Sequence, residues 1–556
     1  MKQLLLLFLL LTTCVPSFPK GGMDKANNSK RLAWGDQGNG TYINPILNAD
    51  YSDPDVIRVG EKYYMVASDF HFVGMQILES CDLVNWRILT QVYKRFDQPS
   101  ADGSRRTDLP GWDTNEHYAG GSWAPAIRYH DNKFWIYFCT PDEGLFMTQA
   151  EKPEGPWSPL HCVKAVSRWE DPCPFWDDDG QAYLGRSQHG AGPIIVHKMS
   201  ADGRRLLDDG VTVYTGPVAE GTKFLKRNGY YYLSIPEGGV GTGWQTVLRS
   251  RSIYGPYEKK VVLEQGSTNV NGPHQGAIVD TPEGEWWFYH FQHNGALGRV
   301  VHLQPMYWHD DWPVIGVDID RNGVGEPVAV WKMPKRSEKL KVKSEEFATA
   351  VPAGSVAGIA AANSNLYTFD SSPAKDSSLF TLHSSPAKDS SLFTLHSSLL
   401  SPVWQWNHNP ADEAWSLTEH KGKLTLHALK ADDFIHARNT LTQRVVGYES
   451  EATVCIDCSH MTEGGRAGLA CMGKTNELLE VTKADGKVYL RITFDMLKKQ
   501  YRFSRSKDNK KFTAVGEPFF VDFGHWKGVR FGIYHYNRSG NGGYITVDNV
   551  KYDVLR

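Results

Sequence analysis

Charge of one sign is missing from this chain: 60 lysines and arginines stand against 63 aspartates and glutamates, a formal net charge of -3. So even a balance leaves no broad basic field, which excludes nucleic acid as a partner and disfavours anionic membrane surfaces. Cysteine is scarce. Beyond Cys14 only Cys81, Cys139, Cys162, Cys173, Cys455, Cys458 and Cys471 remain, an odd and irregularly spaced set in which no disulfide framework can be read. Cys455-Ile-Asp-Cys458 is a lone pair inside strand-like sequence, without the second pair a zinc site needs, and reads as structural thiols. Long apolar runs are also lacking. Leu4 to Leu11, broken only by Phe8 and preceded by Met1-Lys2-Gln3, is too short for a bilayer span but suits a signal peptide within residues 1–22. Cleavage after Ser17 and a lipoprotein signal ending in Leu11-Thr-Thr-Cys14 are both open; the second would anchor the protein by lipid to a bacterial membrane. Either way the expectation is an exported protein, in the periplasm, at the cell surface or secreted.

What is abundant is glycine, with 52 residues, and aromatic side chains at 12%. That composition suits strands and turns, and 556 residues exceed one ordinary core, so two domains are expected. A hairpin pattern recurs as Gly60-Glu-Lys-Tyr-Tyr-Met-Val, Asp131-Asn-Lys-Phe-Trp-Ile-Tyr, Asp179-Gly-Gln-Ala-Tyr-Leu, Asn228-Gly-Tyr-Tyr-Tyr-Leu and Glu283-Gly-Glu-Trp-Trp-Phe-Tyr. Each copy joins turn formers to a run of aromatic and branched residues, as a hairpin entering a buried strand should. Leu83-Val-Asn-Trp86, Glu154-Gly-Pro-Trp157 and Tyr254-Gly-Pro-Tyr257 form a second echo, read as equivalent turns. Five copies at periods of about 50 to 70 residues predict a five-bladed β-propeller over 31–335.

Composition then shifts to Ala, Ser and Pro, and residues 371–383 are repeated without change as 384–396. Such identity without an aromatic pattern reads as a duplication in a tolerant linker, 336–401, expected to be partly disordered. Strand character returns in 402–556, with Leu424 to His427, Glu451 to Cys455, Val488 to Phe494 and Tyr544 to Tyr552, and predicts a β-sandwich. The fold class is therefore all-β.

Three carboxylates stand beside copies of the repeat: Asp53 in Ser-Asp-Pro-Asp, Asp171 in Glu-Asp-Pro-Cys and Glu220 in Ala-Glu-Gly-Thr. Glycosidic hydrolysis needs an acid at the departing oxygen and a base or nucleophile opposite it, and a third carboxylate can raise the acid's pKa by like-charge repulsion. Each alone also reads as a turn, cap or surface acid.

Asn44-Pro-Ile with Tyr51-Ser-Asp53-Pro-Asp-Val-Ile-Arg-Val-Gly60, then Gly121-Ser-Trp-Ala-Pro125, Glu170-Asp-Pro172 with Phe175-Trp-Asp-Asp-Asp-Gly180, and Ala219-Glu-Gly221 with Gly229-Tyr-Tyr-Tyr-Leu233, resemble in order the motifs of glycoside hydrolase family 43. The resemblance implies a five-bladed propeller acting on pentose polysaccharides with inversion. It implies Asp53 as general base, Glu220 as general acid and Asp171 as the residue that modulates and orients the acid, with a base-to-acid gap of about 6.5–9.5 Å. Arg299, in Gly298-Arg-Val-Val-His-Leu-Gln304, matches an arginine that grips a sugar hydroxyl, a structural ion pair being the alternative. Trp123 and Phe70 match pocket-wall aromatics, with ordinary core as the alternative. His274, in Asn271-Gly-Pro-His-Gln-Gly276, falls where relatives carry an axial histidine near a bound ion, though Gln275 competes for the register. No cofactor is required on this reading, and a structural calcium at His274 is its one metal expectation.

Trp404-Gln-Trp-Asn-His-Asn-Pro410, Leu441-Thr-Gln443 and Arg466-Ala-Gly-Leu469 resemble the concanavalin-like sandwich of a β-xylosidase branch, which closes one side of the pocket. The expected activity is release of terminal β-D-xylosyl or α-L-arabinofuranosyl units from xylo- and arabino-oligosaccharides. An endo-acting arabinanase or xylanase, and a non-catalytic sugar-binding propeller, are the alternatives.

Overall fold

The computed structural model describes residues 33–96, 112–335 and 400–556, together with the backbone of two short strands, Ser364–Thr368 and Thr381–Leu382. The signal segment lies outside the described residues, as does the linker 336–401 apart from Ser364–Thr368, Thr381–Leu382 and residues 400–401.

Each aromatic repeat is the second strand of a sheet of four antiparallel strands that follow one another in the chain. The first sheet runs Ser52–Val59, Lys62–Ser68, Gln76–Ser80 and Trp86–Gln91, with Thr381–Leu382 added at its outer edge. The next three begin with Trp123–His130, Trp169–Trp176 and Lys223–Arg227, and the fifth, starting at Ile278–Asp280, ends with Trp312–Ile315. The hairpin turns use left-handed backbone where the sequence supplies Gly, Asn or Asp: Gly60, Asp131, Asn132, Gly180, Asn228, Gly229 and Gly284 all have positive φ. In the second echo, the aromatic ring ties the turn before the outermost strand. Trp86 Nε1 donates to the Leu83 carbonyl at 3.0 Å, Trp157 Nε1 to Pro153 at 3.2 Å, and the Tyr257 hydroxyl to Ile253 at 2.7 Å.

The first strands pack side by side, Ser52–Val59 on Trp123–His130, that on Trp169–Trp176, and that on Lys223–Arg227, while Ile278–Asp280 returns to Ser52–Val59. The ring is latched where the chain enters and leaves it. Thr41–Ile43 pairs with Val330–Lys332, and the Tyr42 hydroxyl donates to Leu303 at 2.9 Å.

The C-terminal region forms two facing sheets. One is built on Glu449–Asp457, Lys487–Asp495 and Tyr544–Val554, the other on Leu441–Arg444, Gly465–Met472 and Arg530–Asn537. Lys487–Asp495 alternates buried and open residues, as a strand with one face on the core should. The second sheet does not stop at the domain edge. Gln405–Asn407 pairs with Phe72–Val73 of the propeller, and His408 N donates to the His71 carbonyl at 3.1 Å, so a hydrogen-bonded sheet joins the two domains. Cys455 and Cys458 are buried free thiols.

Candidate active site

The pocket is made by a backbone device repeated near the start of the blades. Asp53, Ala124, Asp171, Gly221 and Gln275 all have positive φ, between +34° and +61°. In the first three sheets the kink coincides with a register slip, between Ser52 and Asp55, Trp123 and Ala126, and Glu170 and Cys173. A bulge of this kind re-aims side chains that regular alternation would send to opposite faces. Residues with left-handed φ other than glycine cost about 1–3 kcal/mol each and persist where surrounding structure holds them.

Those kinks surround a cavity of about 330 Å³. Asp53, Glu170, Asp171 and Glu220 supply its carboxyl groups, Arg299 a cation, and Phe70, Trp123 and Trp526 aromatic walls. Asp53 is buried and doubly held: Ser68 Oγ donates to it at 2.5 Å and Arg299 Nη1 at 2.8 Å. Ser68 Oγ in turn accepts from Ala124 N at 2.6 Å, tying the first blade to the second. Asp171 repeats the device two blades on, accepting from Ser187 Oγ at 2.8 Å and Gly221 N at 2.6 Å.

Crowding and burial raise three of these acids. Burial, then the charge of Asp171, pushes Glu220 up to about 8, against the pull of Arg299. Glu170 is raised too, by burial and by its neighbours Asp171 and Glu220. Asp171 is raised by burial and by Asp53, although its donors from Gly221 and Ser187 favour its charged form.

Arg299 lines the pocket but is paired with Asp53, and its guanidinium lies 4.8 Å from the Phe291 ring centroid. Phe70 is 5.7 Å edge-on from Trp123, and both line the cavity, so they are wall as well as packing. His274 lies beside the pocket and not in its lining. It is fully buried behind the wall, its Nδ1 at 2.7 Å from the Gly272 carbonyl and its Nε2 at 3.9 Å from Glu220, while the left-handed Gln275 takes the pocket position. Calcium wants six to eight oxygen ligands, and an imidazole nitrogen beside one carboxylate does not suit it. The one set of three metal-capable side chains among the described residues is Glu170, Asp171 and Glu220, with oxygens within 4.8 Å of one another. A cation there would compete with the proton that Glu220 holds, so the trio suits proton chemistry better than an ion.

Three contributors escape motif reading. Glu170 is adjacent to Asp171, and only the kink brings both carboxyls into one pocket. Trp526 comes from the sandwich, 46% exposed, its ring 6.4 Å from that of Trp123. Behind it Lys527 is buried, with Nζ 2.7 Å from Asp50 and donating to the Ser68 carbonyl at 2.9 Å, while Asp50 accepts from Arg299 N at 2.9 Å. Trp526 and Lys527 lie more than 450 positions from Asp53, and no local pattern marks them.

A crowded set of buried carboxyl groups, one of them paired with an arginine and another raised to about 8, walled by aromatic faces at the hub of a propeller, defines a glycoside-hydrolysing class of protein. Comparison with known proteins narrows this. Residues 42–313 match the family model described as glycosyl hydrolases family 43, and residues 394–487 and 477–553 match the β-xylosidase C-terminal concanavalin A-like domain. A Xylanibacter ruminicola protein with a provisional β-xylosidase name is 53% identical over 90% of this chain and 87% of its own. A β-xylosidase of Formosa agariphila is 33% identical over 95% and 94%. A non-reducing end α-L-arabinofuranosidase of Bacteroides ovatus is 30% identical over 50% and 54%. The solved family 43 protein BlXynB of Bacillus licheniformis superposes with a TM-score of 0.71 at 25% identity, over 93% of this chain and 100% of that one. The chain belongs to glycosyl hydrolase family 43, an all-β propeller enzyme with a concanavalin-like domain.

Proposed function

We propose that the protein is an exo-acting, inverting glycosidase that removes terminal β-D-xylosyl or α-L-arabinofuranosyl units from xylo- and arabino-oligosaccharides outside the cytoplasm. The observation that carries this reading is the asymmetry between its carboxyls: Asp53 is held by Arg299 and Ser68, whereas Glu220 is pushed upward by burial and Asp171. In this scheme Asp53 takes a proton from a water, and the resulting hydroxide attacks the anomeric carbon. Glu220 gives its proton to the departing glycosidic oxygen, and the bond to that oxygen breaks. Asp171 keeps the proton on Glu220 until that moment. No cofactor enters the scheme, and we assign no role to a calcium at His274.

Trp526 favours exo over endo action, because a wall contributed by a second domain makes a pocket rather than an open groove. Export rests on the sequence of residues 1–22 alone. The test is a proton NMR time course with xylobiose and an aryl α-L-arabinofuranoside. Product released first in the inverted anomeric form supports the roles of Asp53 and Glu220 and chooses the sugar. Retained product refutes the water-activating base.

A further inference from the structure

The mechanism uses three carboxyls, yet the pocket holds four. Glu170 is 6% exposed and lines the cavity. In a regular strand it would point away from its neighbour Asp171; the left-handed kink at Asp171 and the register slip between Glu170 and Cys173 turn it inward. One of its oxygens is engaged, since Ala191 N donates to Oε1 at 3.3 Å from the His189–Gly190–Ala191 loop that forms the adjoining wall. The other oxygen has no donor among the described residues, and the carboxyls of Glu170, Asp171 and Glu220 crowd within 4.8 Å. Three such groups cannot all be ionised in a buried site. Burial and its two acidic neighbours raise Glu170, so it holds a proton and can donate a hydrogen bond. Its carboxyl lies within 4.8 Å of that of Glu220, in a group that does not include Asp53, which places Glu170 on the acid's side of the pocket, where the departing group leaves.

We propose that Glu170 is a specificity residue that donates a hydrogen bond to a hydroxyl of the departing sugar, so that the pocket favours glycosides whose leaving group is itself a sugar. This rests on the glycosidase reading above. A buried donor left without its partner is penalised, so a hydroxyl-free leaving group should be disfavoured about 5- to 150-fold.

The test compares xylobiose with cyclohexyl β-D-xyloside, whose leaving alcohol lacks the other hydroxyls, or the corresponding pair of α-L-arabinofuranosides. Wild type should prefer the disaccharide in kcat/KM. Glu170→Ala should lower kcat/KM on the disaccharide about tenfold and on the cyclohexyl glycoside less than about threefold. Glu170→Gln, whose amide still donates, should keep most of the preference and guards against an alanine variant that fails to fold. Equal losses on both substrates, no loss on either, or a glutamine variant as selective as the alanine one would overturn the proposal. If wild type cleaves neither member of either pair, the glycosidase reading itself fails, an outcome separate from all of these.

Discussion

Two clusters of buried charge meet at Arg299, which bonds Asp53 with its side chain and Asp50 with its backbone N–H, and they are solved in opposite ways. On the pocket side, Glu170, Asp171 and Glu220 crowd together, Arg299 is the one Lys or Arg among the described residues that line the cavity, and that arginine is spent on Asp53. On the interface side, Asp50 and Asp69 face Lys527, Arg444 and Arg530, all buried, with Arg444 bonded to Asp69, to Gln76 and, at 2.8 Å, to the Asp50 carbonyl. Here cations outnumber anions, and burial brings Lys527 down to about 8 and Arg530 to about 9. The interface is compensated and holds two domains together; the pocket is left uncompensated and therefore reactive. Residue type does not separate them, since aspartates serve both; the supply of countercharge does.

The comparison breaks most sharply on activity. Glu220→Gln removes the proton that the uncompensated pocket stores, and hydrolysis of xylobiose should fall by about 10²–10⁴-fold while sugar binding, read by calorimetry, persists. Asp53→Asn should lose as much. Comparable turnover in either variant would mean that the chemistry lies elsewhere.

Breaking the interface should instead be read in stability. Arg444→Met leaves Asp69 buried without its closest cation, a change worth about 3–5 kcal/mol. The midpoint of thermal unfolding should drop by several degrees or more, with loss of the sandwich's cooperative transition. If the variant unfolds like wild type, the interface charges are not the clasp that the geometry shows.

Much of this was legible in the chain, and the limits have physical causes. The aromatic repeats marked second strands because those strands are buried on both faces and their turns need positive φ, both of which dictate residue type. Asp53, Asp171 and Glu220 were legible because each kink writes itself locally, as Asp-Pro or Glu-Gly. Glu170 was not, since strand alternation sends it outward unless the bulge is known. His274 and Gln275 differ by one position, and one residue of register decides which faces the pocket. Trp526 and Lys527 reach the site through contacts between the two domains, such as the pairing of Gln405–Asn407 with Phe72–Val73 and the bond from Val529 N to the Ala296 carbonyl, which no short-range pattern encodes.

A smaller effect sharpens the contrast through pH. The folded state holds the Glu220 proton up to about 8, whereas an unfolded glutamate releases it near 4.3. Folding therefore binds protons in this window, and stability contributed by the protonated form is complete at low pH and is lost as pH rises through the window. Glu220→Gln, which has no proton to lose, should unfold at the same temperature as wild type near pH 4 and at a higher one near pH 8. A gap that shrinks as pH rises would reverse the sign assigned to the pocket's charge.

The smallest expected change lies where the two clusters meet, at Trp526 in front of Lys527. Trp526 is substantially open, so removing its ring empties little core, and Lys527 remains to hold Asp50 and Ser68. What is lost is a flat apolar face against the sugar, worth about 0.5–1.5 kcal/mol. Trp526→Ala should therefore raise KM about two- to tenfold with little change in kcat or thermal stability. A large fall in kcat would instead show that the ring fixes the geometry of Asp53 through Lys527 and Ser68, and the sandwich would then belong to the chemistry as well as to the wall.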